Sequence, residues 1–341
     1  MNAEALLRKY NPQLVILPRD WTRHRPSSPW YKKQDVPRGD YHPCSAEFFL
    51  SFVIQRDEPK PWNALEFREE VVPRPTGLST LRARVEEAGR DDTLAWELDV
   101  APLKSQDADQ AWTAYAAMLC AGAEHDRAVV HGHYVPGARP FLLYWYLYVY
   151  NDAPNKHEGD WEMVGIELDE SGKPAFAGYA GHSSGFRREW SRVEKRGDRP
   201  LVYVARGSHA AYFDHKPQGH TTNSLDPRKG WIEPFETAWV VFNKVVQSVF
   251  RVLRIVDRTP AHPDHPGLDP NDIGELLEPE LIILPSVADV SLHPEFWWMN
   301  LRCRWGSWHS RITGFIGPNP PWEQGLQWTD PGTWLRGLVA D

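Results

Sequence analysis

The run FLLYWYLYVY, from Phe141 to Tyr150, holds ten aromatic or aliphatic residues and no charge. Pro140 precedes it and Asn151-Asp152 follow it. Its length and its turn-forming borders mark a strand, and its unbroken apolar character marks one buried on both faces. Asp160–Leu168 (DWEMVGIEL), Pro174–Tyr179 and Pro200–Arg206 read as further strands. Ser171-Gly172-Lys173, Ser184-Gly185 and Gly197-Asp198 separate them. Strands this close together, with no crossover helix between them, pair antiparallel.

The flanking segments are less sharply patterned. Leu14–Pro18 is a short apolar strand, and Phe48–Ile54 (FFLSFVI) fits a strand or a short helix equally well. A helix is predicted over about Ala111–Gly122, capped by Asp107 or Asp109. A second is predicted over Phe235–Val256, where Trp239, Phe242, Val246, Val249 and Leu253 recur at intervals of three and four. Residues 57–108 are charge-mixed and weakly patterned. The chain carries 17 Trp and 30 Pro in 341 residues, which favours fixed bends and ordered connections over long helices. The expected fold is β-rich (α+β): an antiparallel β-sandwich decorated by helices and long Trp/Pro-rich loops. No composition break divides the chain, so one domain over residues 1–341 is expected, with the site core at about 140–215.

Several function classes are disfavoured. A net charge of −8 argues against nucleic acid as a general partner. The mean hydropathy is −0.54, and no stretch approaches 18 consecutive apolar residues, so no membrane-spanning helix is expected. Met1–Tyr10 shows no apolar core of a secretory signal. The three cysteines, Cys44, Cys120 and Cys303, are odd in number and far apart, which fits a reducing, cytoplasmic setting.

Chemistry is concentrated in residues 157–162, His-Glu-Gly-Asp-Trp-Glu. If a strand opens at Asp160, alternation puts Asp160 and Glu162 on one face and Trp161 on the other. Gly159 permits a sharp path, so that His157 in the preceding loop folds back over the same face. Asp152 lies at the other end of that loop. Three carboxylates and an imidazole at one strand end call for a bound divalent cation, and oxygen-dominated ligation favours Mg²⁺ or Ca²⁺, with Mn²⁺ and Zn²⁺ also suited.

The pieces YWYLYVYN, HEGDWEMV, YAGHSSG and PLVYVARGSHAAYF, between Tyr144 and Tyr212, resemble the vacuolar protein sorting 62 family. Tyr41-His42-Pro43-Cys44-Ser45, Arg304-Trp305-Gly306, Gly317-Pro318 and Trp328 fit the same likeness. More distantly, the aromatic strand followed by His-x-x-Asp-x-Glu is similar to the necrosis- and ethylene-inducing toxin family. The second resemblance implies a divalent cation at one end of a β-sandwich, held by His157, Asp160 and Glu162 with Asp152 as the upstream acid. Here Glu158-Gly159 replaces the toxin's basic pair, and the intervening loop is shorter.

His182 and His209 lie in Gly/Ser-rich loops after strands and are candidate proton-transfer groups. Arg187 and Arg188, within a basic stretch, are candidates for orienting a polar or anionic substrate. His131 and His133 share a face if their segment is a strand. Counting strands as a simple meander puts His182 at the metal's edge. His209 reaches that edge only if the connection over 181–199 crosses the sheet. The function expected is a metal-dependent hydrolase or lyase acting on a small molecule at a strand-end pocket, lined by loops 151–162, 181–188 and 207–215. Alternatives are a metal-dependent protein that binds membranes or glycolipids through their headgroups, as the resemblance to the necrosis-inducing toxins implies, and a trafficking-associated scaffold.

Overall fold

The computed structural model describes residues 2–16, 42–57, 74–100, 128–151, 157–181, 184–205, 208–215, 274–306 and 317–341. The described strands, in chain order, are β1 (Gln13–Ile16), β2 (Val53–Arg56), β3 (Glu97–Val100), β4 (Val129–Val135), β5 (Phe141–Asn151), β6 (His157–Leu168), β7 (Pro174–Gly181), β8 (Ser184–Glu189), β9 (Lys195–Arg196), β10 (Arg199–Val204), β11 (Ala211–Tyr212), β12 (Glu275–Leu277), β13 (Glu280–Ile283), β14 (Arg304–Trp305) and β15 (Val339–Ala340). The chain is strand-rich and its strand pairing is mostly antiparallel, as the close strand spacing requires.

Seven strands form the main sheet, in the order β13-β4-β5-β6-β7-β8-β15. The run β4 to β8 is an antiparallel meander. β13 and β15 close its two sides with parallel pairings. Every residue of β5 is buried, so its uncharged sequence has a direct structural cause. Its odd-numbered residues, Leu143, Trp145, Leu147 and Val149, join one core together with Trp161, Trp298, Trp305, Trp322 and Trp328. Its even-numbered residues, Leu142, Tyr144, Tyr146 and Tyr148, join a second core together with Leu14 and Ile16 of β1 and Val202 and Val204 of β10.

That second core is completed by a five-stranded sheet in the order β11-β10-β1-β12, with β9 also paired to β10. β1 lies parallel to β10, with Leu14 against Val202, and antiparallel to β12. A three-stranded sheet, β14-β3-β2, stands on the side of the Trp-rich core. The ambiguous run at residues 48–54 divides. Ala46–Leu50 is a helix whose Ser45 Oγ accepts from Phe48 N at 3.1 Å, and β2 follows it. Leu78–Ala88 is a helix that the sequence pattern did not reveal; only Leu81 and Val85 of it are buried. The helices predicted over 111–122 and 235–256 lie outside the described residues. No described helix is long and apolar enough to cross a membrane.

Three expected boundaries shift. The strand read as starting at Asp160 starts at His157, because Asn151 pairs with His157 and the ladder runs through the motif. The strand read as Pro200–Arg206 is Arg199–Val204 and belongs to the second sheet. Residues 184–188, expected as loop, are part of β8.

Gly159 is where the motif meets the third sheet. Its φ is +63°, and a Cβ there would lie 2.2 Å from the Trp305 carbonyl oxygen. Gly306, φ +104°, approaches the Glu158 carbonyl equally closely, at 2.3 Å from a notional Cβ. Main chain therefore packs directly on main chain.

Candidate acid–base site

Asp160 and Glu162 are two apart on β6 and face Tyr148 and Tyr146 across the β5–β6 ladder. Directly opposed residues of an antiparallel pair share a face, so all four side chains lie on the side of the second core. Trp161 lies on the other, in contact with His131 (5.3 Å between ring centroids) and Trp305 (5.6 Å). The expected alternation of the motif is thus present.

His209 joins this face from the second sheet. After β10, Ala205 N donates to Ala210 O at 2.9 Å and His209 N donates to Ala205 O at 3.0 Å, which closes a tight turn. His209 has φ +56°, the only positive φ at a non-glycine among the described residues. This conformation costs an imidazole-bearing residue about 1 kcal/mol, and such strain concentrates at functional positions. The turn aims the ring at Asp160, with His209 Nδ1 2.9 Å from Asp160 Oδ2. Asn151 Nδ2 donates to the same oxygen at 3.4 Å. The His209 ring lies flat on Tyr148, 4.0 Å between centroids and 5° between planes. Both His209 and Asp160 are buried.

Burial, and after it the nearby Glu162 and Asp160 carboxylates, hold the Tyr148 phenol well above its ordinary pKa, so it stays neutral. An ionised carboxylate only accepts hydrogen bonds. The Asp160 contact therefore places a proton on His209 Nδ1 and leaves the lone pair of the neutral ring on Nε2.

The other expected site residues are distributed as follows. His157 is in β6 rather than in a loop, and its Nδ1 donates to the Gly159 carbonyl at 2.7 Å. That bond leaves a lone pair on Nε2, the state a metal ligand needs. Asp152 and His182 lie outside the described residues. Among the described residues no group of three or more His, Cys, Asp or Glu side chains is placed to hold a metal ion. Asp160 Oδ2 already serves His209 and Asn151, so the fit to a bound cation is partial: two carboxylates on one face without a described third ligand.

Arg187 and Arg188 do not act as a pair. They are consecutive on β8 and face opposite sides. Arg188 bonds the carboxylates of Asp214, at 3.2 Å, and Asp341, and its guanidinium lies 4.6 Å over the Phe213 ring. It anchors the segment that carries His209 instead of presenting a free charge.

Glu158 is fully buried, and its Oε2 accepts from Val100 N at 2.8 Å, which ties β6 to β3. His131 and His133 share a face of β4, as alternation requires, and sit in the Trp-rich core. His133 stacks on Trp328 at 4.1 Å. Tyr148 and Asn151 were missed as site residues. Both were legible only once the ladder register was known, because Tyr148 pairs with Asp160 and Asn151 pairs with His157.

No family model, no curated protein and no solved structure matches this chain. The likeness to the vacuolar protein sorting 62 and toxin families therefore rests on the quoted motifs alone.

Proposed function

We propose that this protein is an enzyme of the hydrolase or lyase type, with His209 as its proton-transfer group and Asp160 as the residue that orients it. We read the two facing sheets as a β-sandwich with this site at one strand end. One observation carries the reading: a buried histidine held in a strained backbone conformation, with its ring aimed at a buried carboxylate from another sheet. A positioned imidazole–carboxylate pair is the arrangement that general acid–base catalysis requires. Glu162, on the same face, supplies a second carboxylate for a polar substrate. Small-molecule substrates of ester, phosphoester or glycoside type fit this chemistry.

The test is turnover of nitrophenyl esters, phosphates, phosphodiesters and glycosides by the full chain, compared with His209→Asn. The expected result is turnover of at least one class that falls by about 100-fold or more in the variant, the usual scale of general acid–base assistance. Equal rates in both proteins would overturn the reading.

A second reading, favoured by the two buried carboxylates sharing a face, is a divalent cation at Asp160 and Glu162, completed by residues such as Asp152, His157 or His182. Such a cation would supply Lewis acidity. About one equivalent of Mg²⁺, Ca²⁺, Mn²⁺ or Zn²⁺ retained after dialysis, and lost in Glu162→Gln, would support it. Equal metal content in both proteins would remove it.

A further inference from the structure

On the opposite face of the main sheet, four rings meet in a closed cycle. His131 touches Trp161 (5.3 Å between centroids) and Trp298 (5.7 Å), and Trp305 touches the same two tryptophans at 5.6 Å and 6.2 Å. The planes cross at 65°, 80°, 64° and 75°, so every step is edge to face and no ring lies flat on its neighbour. Trp145 adjoins the cycle as the direct neighbour of His131 across the β4–β5 ladder. All five side chains are buried. An indole N–H only donates, and a buried donor without a partner forfeits its hydration. Two nearby indoles avoid that loss: Trp298 Nε1 donates to Glu47 Oε1 at 2.7 Å, and Trp322 Nε1 donates to the Leu301 carbonyl at 2.9 Å. The indole N–H groups of Trp145, Trp161 and Trp305 have no hydrogen-bond partner among the described residues. Three unspent donors thus gather around one imidazole. Burial lowers the His131 pKa to about 4, so its ring is neutral at pH 7 and keeps one lone pair.

We propose that ordered water is bound in this Trp-rich core, accepting from the indole N–H groups of Trp145, Trp161 and Trp305 and donating to the His131 imidazole. Water both accepts and donates, so it serves the indoles and the imidazole together. An anion would suit the donors, but it would meet a neutral imidazole in a core otherwise built of apolar side chains, where an uncompensated charge is costly. The ring faces of the cycle are poorer acceptors, because an N–H on an aromatic face is a second-order contact. Water here joins β4, β5 and β6 to Trp305 of β14. The third sheet is then held to the main sheet by polar bridges as well as by packing. None of this depends on the assignment of His209.

The test uses the full chain in solution with ¹⁵N-labelled tryptophan, each indole signal being assigned from its own backbone amide so that no substitution is needed. Rotating-frame spectra are read at the water frequency for the indole protons of Trp145, Trp161 and Trp305. Cross-peaks to water of sign opposite to the diagonal mark dipolar contact and not exchange, and they are expected at two or more of the three. Contact at fewer than two overturns the proposal. Indole protons shifted upfield without a water contact would place these N–H groups on ring faces and overturn it in the same way. His131→Phe keeps a ring and removes the lone pair, and it is expected to weaken the remaining contacts about twofold or more. Unchanged contacts in that variant overturn the role given to His131. If the variant does not fold, the wild-type spectrum still decides whether the water is there.

Discussion

In His157-Glu158-Gly159-Asp160-Trp161-Glu162 each of the first five residues meets a different neighbour. His157 donates to a carbonyl two residues on, and Glu158 accepts from β3. Gly159 touches the Trp305 carbonyl, Asp160 holds His209, and Trp161 packs on His131. Gly159→Ala would combine a strained φ with a backbone clash at 2.2 Å, and a loss of about 3 kcal/mol or more is expected in urea unfolding. An unchanged midpoint would mean that β14 does not approach β6 this closely. Glu158→Ala strips the Val100 N–H of a buried acceptor and should cost about 1–3 kcal/mol, whereas Glu158→Gln, which keeps an acceptor oxygen, should cost less. Equal losses in the two variants would show that the oxygen is not what matters. The sequence revealed Asp160 and Glu162 because strand alternation is local. It hid the role of Glu158, whose partner lies 58 residues away.

Hydrophobic pattern located the elements wherever burial was two-sided. β5 is the clearest case, and its amides should be among the slowest to exchange, with opening free energies near that of global unfolding. Exchange there as fast as in the helix Leu78–Ala88 would contradict the sheet order. That helix escaped notice because it buries only Leu81 and Val85 and shows water a charged face with Arg82, Arg84, Glu86 and Glu87. β6 was read three residues short because Gly159 looked like a turn. In the fold, the same glycine lets the strand continue past a crowding carbonyl. His209 could be placed only conditionally. β10 pairs with β1, at Leu201 and Gln13, and no local signal announces a partner that distant. His209 reaches Asp160 by another route than the one stated: residues 184–189 are a strand, β8, and not part of a crossing connection, the chain then passes to the other sheet, and the turn following β10 brings the histidine to the β5–β6 pair.

Across the whole molecule, the Trp-rich core makes stability depend on acidity. Burial lowers the pKa of both His131 and His133 from 6.5 to about 4. Above pH 6.5 both rings are neutral in the folded and unfolded chain, and their ionisation contributes nothing. Below that, the unfolded chain takes up protons that the folded chain refuses, so stability falls as pH drops from about 6.5 to about 4. The slope is about 1.4 kcal/mol per pH unit for each histidine. Urea midpoints at pH 7 and pH 5 should differ accordingly, and His133→Phe should remove roughly half of the histidine share of that difference. A pH dependence unaffected by the substitution would show that burial does not hold the His133 ring neutral.

The parallel pairing of β1 with β10 also bears on how the protein is made. Gln13–Ile16 is synthesised well before its neighbours, which are Leu201–Tyr203 on one side and Glu275–Leu277 on the other. At roughly 5–20 residues per second, the first partner emerges about ten to forty seconds later. Until then a short apolar strand has both edges open, and open edges recruit whatever strand is nearest. The nascent chain is thus exposed to wrong pairing from the synthesis of Ile16 until that of Leu201. Slowing translation downstream of residue 200 would lengthen the wait for β12, whereas a factor that shields Gln13–Ile16 would protect the yield of folded protein.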